Sequence, residues 1–252
     1  MADSMNKYNS TYSMERLSAY AYSESDTMQN IVENYSNNIK ISQSIYPELC
    51  ILEVILRNAI DSILKQNISE TWIEDEINNN VWLDPSEYTA LVKAYNTTKD
   101  ECIAEKKDFT IGKVVANLNF GFWTNLCVKK YNSKIWNKPK CFYGVFVNYP
   151  QKYSIKYIAQ KLYAIRRFRN RVFHYEKIFK YPIRTLSLYN DILEVLSYLP
   201  NDDLEILKKT STFLDTYNKL IKNINTGNKK HRLLCKSREK ILCCTLLLFT
   251  MM

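Results

Sequence analysis

Chain breakers are scarce in this sequence: 252 residues carry only four glycines and six prolines. Tight turns draw on the positive φ open to glycine and the fixed φ of proline, so a chain poor in both is built more easily from helices than from many short strands. The apolar residues agree. Leu49, Leu52, Ile55, Leu56, Ala59, Ile60, Ile63 and Leu64 recur at helical spacing, as do Ile155, Ile158, Leu162, Ile165 and Val172. No strand-rich alternation, internal repeat, G-x-G-x-x-G or G-K-[ST] loop is present. The expected fold is all-α, a helical bundle.

Boundaries follow from caps and prolines. Ser25 or Asp26 is expected to cap a helix through Ile31, Val32, Tyr35, Ile39 and Ile45, ahead of a break or first turn at Pro47. Asp84-Pro85 reads as the start of a helix running to about Lys106. Thr110 caps the next, which Asn119-Phe120-Gly121-Phe122-Trp123 interrupts or bends; a further helix carries Leu126, Val128, Tyr131 and Ile135. The stretch 154–174 reads as one long helix, and Pro182 to Leu199 as another. Pro200-Asn201-Asp202 is a turn and cap before a last helix through Leu204, Leu207, Phe213, Leu214, Tyr217 and Leu220. Trp72 to Leu83 reads as a connecting or edge segment, and Pro139 to Pro150 as a loop with an aromatic cluster.

The net charge of +9 is unevenly spread. Between Lys222 and Lys240, Lys222, Lys229, Lys230, Arg232, Lys236, Arg238 and Lys240 face only Glu239, so most of the charge lies in this tail. The body is mildly basic but dense in positive charge around Arg166 to Arg171, a pattern that fits either a polyanion partner or a solvated face. The seven cysteines (Cys50, Cys102, Cys127, Cys141, Cys235, Cys243 and Cys244) form no C-x-x-C pair and accompany no His cluster. A reduced, cytoplasmic protein with no metal site and no cofactor is expected. Met1 to Ser13 is polar and lacks a signal peptide's apolar stretch. Ile241 to Met252 is apolar but far short of the ~20 residues that span a bilayer, so no stable membrane span is expected. The tail beyond Ile224 reads as a basic arm, a membrane-contacting segment or a frameshift remnant, with little order.

One segment carries chemistry: Arg166-Arg167-Phe168-Arg169-Asn170-Arg171-Val172-Phe173-His174-Tyr175-Glu176. Asn170 and His174 are four apart and share a helical face, with Arg169 beside them and Arg166 one turn earlier. Guanidinium grips phosphate and stabilises charge building on it; imidazole moves protons near neutral pH. Together they suit cleavage of RNA in which the ribose 2′-OH attacks the adjacent phosphate, leaving a 2′,3′-cyclic phosphate and a 5′-hydroxyl. The plainer reading is a hydrogen-bonded structural histidine, with Glu176 paired to Arg171 and Arg167 solvated.

Arg169-Asn170-Arg171-Val172-Phe173-His174-Tyr175-Glu176-Lys177-Ile178-Phe179 resembles the signature R-N-R-[IV]-x-H-[HxY]-E-x-I-F of the Abi-like (abortive infection) proteins, within the HEPN superfamily. Leu52-Glu53-Val54-Ile55-Leu56-Arg57-Asn58 is similar to the family's L-E-x-x-L-R-N helix, and Leu118-Asn119-Phe120-Gly121-Phe122-Trp123 to its L-x-F-G-F-W segment; Glu15-Arg16-Leu17-Ser18 also fits. The resemblance implies a HEPN-like helical bundle with additional N-terminal helices over 15–221, between a leader over 1–14 and the tail over 222–252. It implies a homodimer whose R-x4-H motifs meet in one metal-independent endoribonuclease site, acting in phage defence or as a toxin with an antitoxin protein or RNA. Arg169 would then grip the phosphate, Asn170 would position it or hold the histidine, and His174 would be the acid or base. Arg166, Arg167 and Arg171 would bind RNA, with Glu53, Arg57, Asn58, Tyr175 and Glu176 near the site. Glu53 and Arg57 read equally well as a buried pair orienting the fold. Phe120, Phe122 and Trp123 are read as core or dimer interface before base-stacking platforms, with Gly121 allowing a close approach or bend. The alternative function is a non-catalytic HEPN module that binds RNA or protein. Two departures stand out: Tyr175 replaces a frequent second His, and Lys177 a frequent Pro.

Overall fold

A computed structural model describes residues 11–150, 154–200 and 204–227, among which no strand occurs. The fold is all-α. Its helices are α1 (Met14–Ser18), α2 (Met28–Ser44), α3 (Tyr46–Asn67), α4 (Trp72–Asn79), α5 (Pro85–Ala104), α6 (Ile111–Asn117), α7 (Phe120–Leu126), α8 (Pro139–Val145), α9 (Ile155–Phe173), α10 (Pro182–Tyr198), α11 (Glu205–Thr210) and α12 (Phe213–Gly227). A 3-10 turn (Lys129–Tyr131) and a π turn (Asn132–Trp136) separate α7 from α8. None of the described helices is long and apolar enough to cross a membrane. The leader over 1–10, the Asn201-Asp202 cap and the tail from 228 lie outside the described residues.

Several boundaries differ from the sequence expectation, each for a local reason. The cap of α2 is Thr27 rather than Ser25 or Asp26: Thr27 and Asn30 form a reciprocal capping box, while the Asp26 carboxylate accepts the N–H groups of Tyr22 and Ser23. Trp72 to Asn79 is a helix, not a connector. Its buried face holds Trp72, Ile73 and Glu76, and Asn80 ends it in the left-handed region at φ 46°. The aromatic segment after Lys138 contains α8, and the residues around Tyr131 and Ile135 form 3-10 and π turns instead of an α-helix. The final expected helix is two, α11 and α12, and α12 continues past position 221 to Gly227.

The chain divides into two compact units. One holds the described residues up to Pro47, Asn170–Asn190 and those from Leu207 onward; the other holds Glu48–Arg169 and Asp191–Ile206. In the first, α12 packs on α2. Tyr189 stacks on Phe213 with ring centroids 4.2 Å apart, and Phe213 on Tyr217 at 5.8 Å. At its centre lies Asn38, a buried amide on α2. Its Oδ1 accepts the N–H groups of Ile178 (2.7 Å) and Phe179 (3.1 Å), and its Nδ2 donates to the Glu176 carbonyl (3.1 Å). The chain after α9 is neither helix nor strand at this point, so a side chain supplies partners that backbone pairing would otherwise provide.

In the second unit, Leu52, Leu56, Ile60 and Leu64 of α3 face a core that includes Trp72 and Trp123. Three indole N–H groups find acceptors: Trp72 the Asp61 carboxylate, Trp123 the Leu118 carbonyl and Trp136 the Leu126 carbonyl. Helix α8 lies close on α3 because residue 144 is glycine; a Cβ there would stand 2.3 Å from Ile63 Cδ1. Two polar networks fasten the outer helices. Lys161 binds Asp191 and Glu194, and Glu194 Oε1 accepts from both Tyr157 and Tyr198 at 2.6 Å. The buried Glu87 carboxylate accepts from Asn125 (2.9 Å), Lys130 (2.7 Å) and Tyr131 (2.8 Å).

Asn38→Leu leaves two buried N–H groups without an acceptor. It is expected to cost about 3 kcal/mol, a fall in Tm of roughly 6–12 °C by circular dichroism; an unchanged Tm would contradict the assigned role. Burial alone would raise the Glu87 carboxyl, but the hydrogen bonds from Lys130, Tyr131 and Ser86 outweigh it and hold it below its ordinary value of 4.5. Its contribution to stability is therefore present above pH 4.5 and lost as the pH falls through the lowered folded-state value. In denaturant titrations Glu87→Gln is expected to be less stable than wild type at neutral pH, with a shallower loss of stability below pH 4.5.

Candidate functional site at the end of helix α9

Helix α9 turns Ile158, Leu162, Ile165, Phe168 and Val172 inward, a spacing that leaves the opposite face to polar residues. It stops in a hydrogen-bonded terminus. The His174 N–H reaches the Asn170 carbonyl (2.9 Å), Tyr175 N–H the Val172 carbonyl (3.1 Å) and Glu176 N–H the Arg171 carbonyl (2.9 Å). Tyr175 has φ 57°, so the turn is a Schellman motif with tyrosine where glycine is usual. His174 is the last residue before the reversal.

The turn is clamped from α1 and α2. The Tyr175 carbonyl accepts from the Tyr20 hydroxyl (3.1 Å) and from the Arg16 guanidinium, while Asn38 holds the next residues as described above. Burial pushes the Tyr20 phenol up, which keeps it a donor, although the nearby Arg16 opposes the shift. Arg171 closes the turn on its own side: Nε meets Glu176 Oε2 at 3.0 Å and Nη2 donates to the Lys177 carbonyl at 2.7 Å. The roles of Tyr20 and Asn38 in this turn are not legible in the sequence. Asn38 meets partners 138 to 141 residues away, a distance across which no local pattern carries information.

The predicted site residues fall into distinct settings. Asn170 and His174 are exposed one turn apart, and among the described residues neither side chain has a hydrogen-bond partner. Phe173 between them is partly exposed and lies 5.9 Å from the Tyr46 ring. Arg169 is half-buried and its Nη2 stands 3.5 Å from Glu53 Oε2. The partner of Glu53 is thus Arg169, not Arg57. Arg57 donates instead to the Ala116 carbonyl (3.2 Å) and to Asn58 Oδ1 (3.4 Å).

Of the three arginines expected to bind RNA, two are engaged within the protein. Arg166 donates to Asn125 Oδ1 and, at 3.4 Å, to the Gly121 carbonyl and Thr124 hydroxyl. Arg171 holds the turn. Only Arg167 is exposed. Phe120, Phe122 and Trp123 are buried, so they are core and not base-stacking platforms. Asn119 caps α7 by accepting the Phe122 N–H at 3.0 Å, and a Cβ at Gly121 would stand 2.9 Å from that cap oxygen. The reading of Gly121 as a place of close approach follows directly.

Among the described residues no group of three His, Cys, Asp or Glu side chains is placed to hold a metal ion. Fold and segment define an all-α protein in which an arginine-rich helix ends at an exposed histidine held by a clamped turn. No protein-family model, curated protein or solved structure matches the chain.

Tyr175→Gly is expected to raise stability by about 0.5–1 kcal/mol, since glycine takes positive φ without strain and the tyrosine ring is largely exposed. Tyr175→Val is expected to lower it. Urea titration of both variants checks the pair, and a gain in the valine variant would contradict the geometry.

Proposed function

We propose that the chain is a metal-independent endoribonuclease of HEPN type, using Arg169, Asn170 and His174. The observation that carries the reading is the pairing of an intact R-x4-H motif with an exposed His174 at a turn clamped by Arg16, Tyr20 and Asn38. An imidazole held on a fixed turn and open to solvent can meet a substrate proton. Arg169 neutralises the phosphorane, and the nucleophile is the substrate's own 2′-OH. Transphosphorylation needs a general base and a general acid, yet each chain brings one histidine to this position. A homodimer with two motifs in one composite site supplies both. The biological setting that fits such an activity is phage defence or a toxin–antitoxin pair, in which RNA cleavage arrests growth and an antitoxin restrains it.

The second reading is a non-catalytic module that binds RNA or protein. The Glu53 carboxylate beside Arg169 favours it, because that guanidinium already faces an anion. Activity separates the two. His174→Ala and Arg169→Ala are each expected to reduce cleavage of labelled RNA by at least about a hundredfold and to abolish toxicity on expression, with the far-ultraviolet circular dichroism of wild type. Wild-type cleavage in both variants would overturn the mechanism. A folded wild type that binds RNA without cutting it would establish the second reading.

A further inference from the structure

Between Ile155 and Arg169 the exposed residues of α9 are Lys156, Gln160, Tyr163 and Arg167. They are spaced by four, three and four, so they form one stripe down the helix, about 16 Å long. The stripe holds two cations, one amide and one aromatic ring, with no acidic residue. Asp191 and Glu194, two carboxylates beside the helix, are partly buried and are bound by Lys161.

Tyr163 is the unusual member. It is 52 % exposed, though it sits on a helix with a well-filled apolar face. Two guanidiniums hold its ring: Arg166 Cζ is 5.6 Å from the centroid and Arg167 Cζ 5.9 Å. Arg166 is itself fixed by Asn125, Gly121 and Thr124. The aromatic surface is therefore oriented before any partner arrives, which lowers the ordering cost of binding.

We propose that Lys156, Gln160, Tyr163 and Arg167 form a docking track for single-stranded RNA, with an unpaired base stacked at Tyr163 and phosphates at Lys156 and Arg167. This rests on the reading of the chain as a protein that acts on RNA, and it assigns binding to residues outside the R-x4-H motif. A stripe of alternating cations and a ring suits a flexible strand, because every base offers a π-face and every linkage a negative charge. It suits a duplex poorly, since stacked bases cannot reach the ring.

The test is fluorescence anisotropy of the full chain with a labelled 2′-O-methyl oligouridine of about twelve nucleotides, a strand that lacks the attacking hydroxyl. Tyr163→Ala is expected to weaken binding about tenfold and Tyr163→Trp to preserve it. Lys156→Gln and Arg167→Gln are each expected to reduce the log–log salt slope by about 0.7. Wild-type affinity in Tyr163→Ala, equal binding of a duplex, or no binding by wild type would overturn the track. A Tyr163→Ala chain that keeps its affinity but changes from dimer to monomer in light scattering would overturn it too, marking the stripe as a contact between copies. Cleavage of unmodified RNA is scored separately. Tyr163-dependent binding without cleavage keeps the track and removes the nuclease reading, whereas cleavage with binding indifferent to Tyr163 does the reverse.

Discussion

The Asn38 amide holds three backbone groups of residues 176–179, a stretch that belongs to no helix. A buried amide is costly unless its polar atoms are matched, and here both ends of the Asn38 amide are used. That one side chain ties α2 to the reversal after α9. The reversal in turn fixes where α9 ends, and the end of α9 is where His174 stands. Arg16 and Tyr20 add to the same closure through the Tyr175 carbonyl, so α1 and α2 serve the turn from two directions. The N-terminal helices are in this sense the support of the motif, not an accessory to it.

The arginine-rich segment shows how little a charge count says about availability. Four arginines stand between positions 166 and 171, and they have separate roles: Arg166 fastens α7, Arg169 faces Glu53, Arg171 closes the helix end, and Arg167 alone is exposed. Guanidinium is suited to each task because its five donors fit a fixed fork of acceptors. What distinguishes the positions is the phase of the helix, which turns 166 and 169 toward neighbouring elements and 167 toward solvent.

Much of this was legible in the sequence. The all-α class follows from the lack of breakers and from the 3.6-residue apolar rhythm, and α3, α5, α9 and α10 fall close to where that rhythm puts them. The Glu176–Arg171 pair was readable too, as a local contact across five residues. Short helices were harder. Helix α4 spans eight residues and rests on one buried glutamate and two apolar side chains, too brief a run for periodicity to show. The partner of Glu53 was misplaced for a different reason: helical spacing offers Arg57, but tertiary packing brings Arg169, 116 residues away. Tyr163 is not distinguishable in the sequence, because an aromatic residue on a patterned helix reads as core until its exposure is known.

The central claim is that His174, on its clamped turn, serves RNA cleavage in which the substrate's own 2′-OH is the nucleophile. Its most direct test is the chemistry of the ends that wild-type protein produces from labelled RNA with EDTA present. The expected products carry a 2′,3′-cyclic phosphate and a 5′-hydroxyl. Fragments with 3′-hydroxyl and 5′-phosphate ends, or cleavage that EDTA abolishes, would contradict the claim.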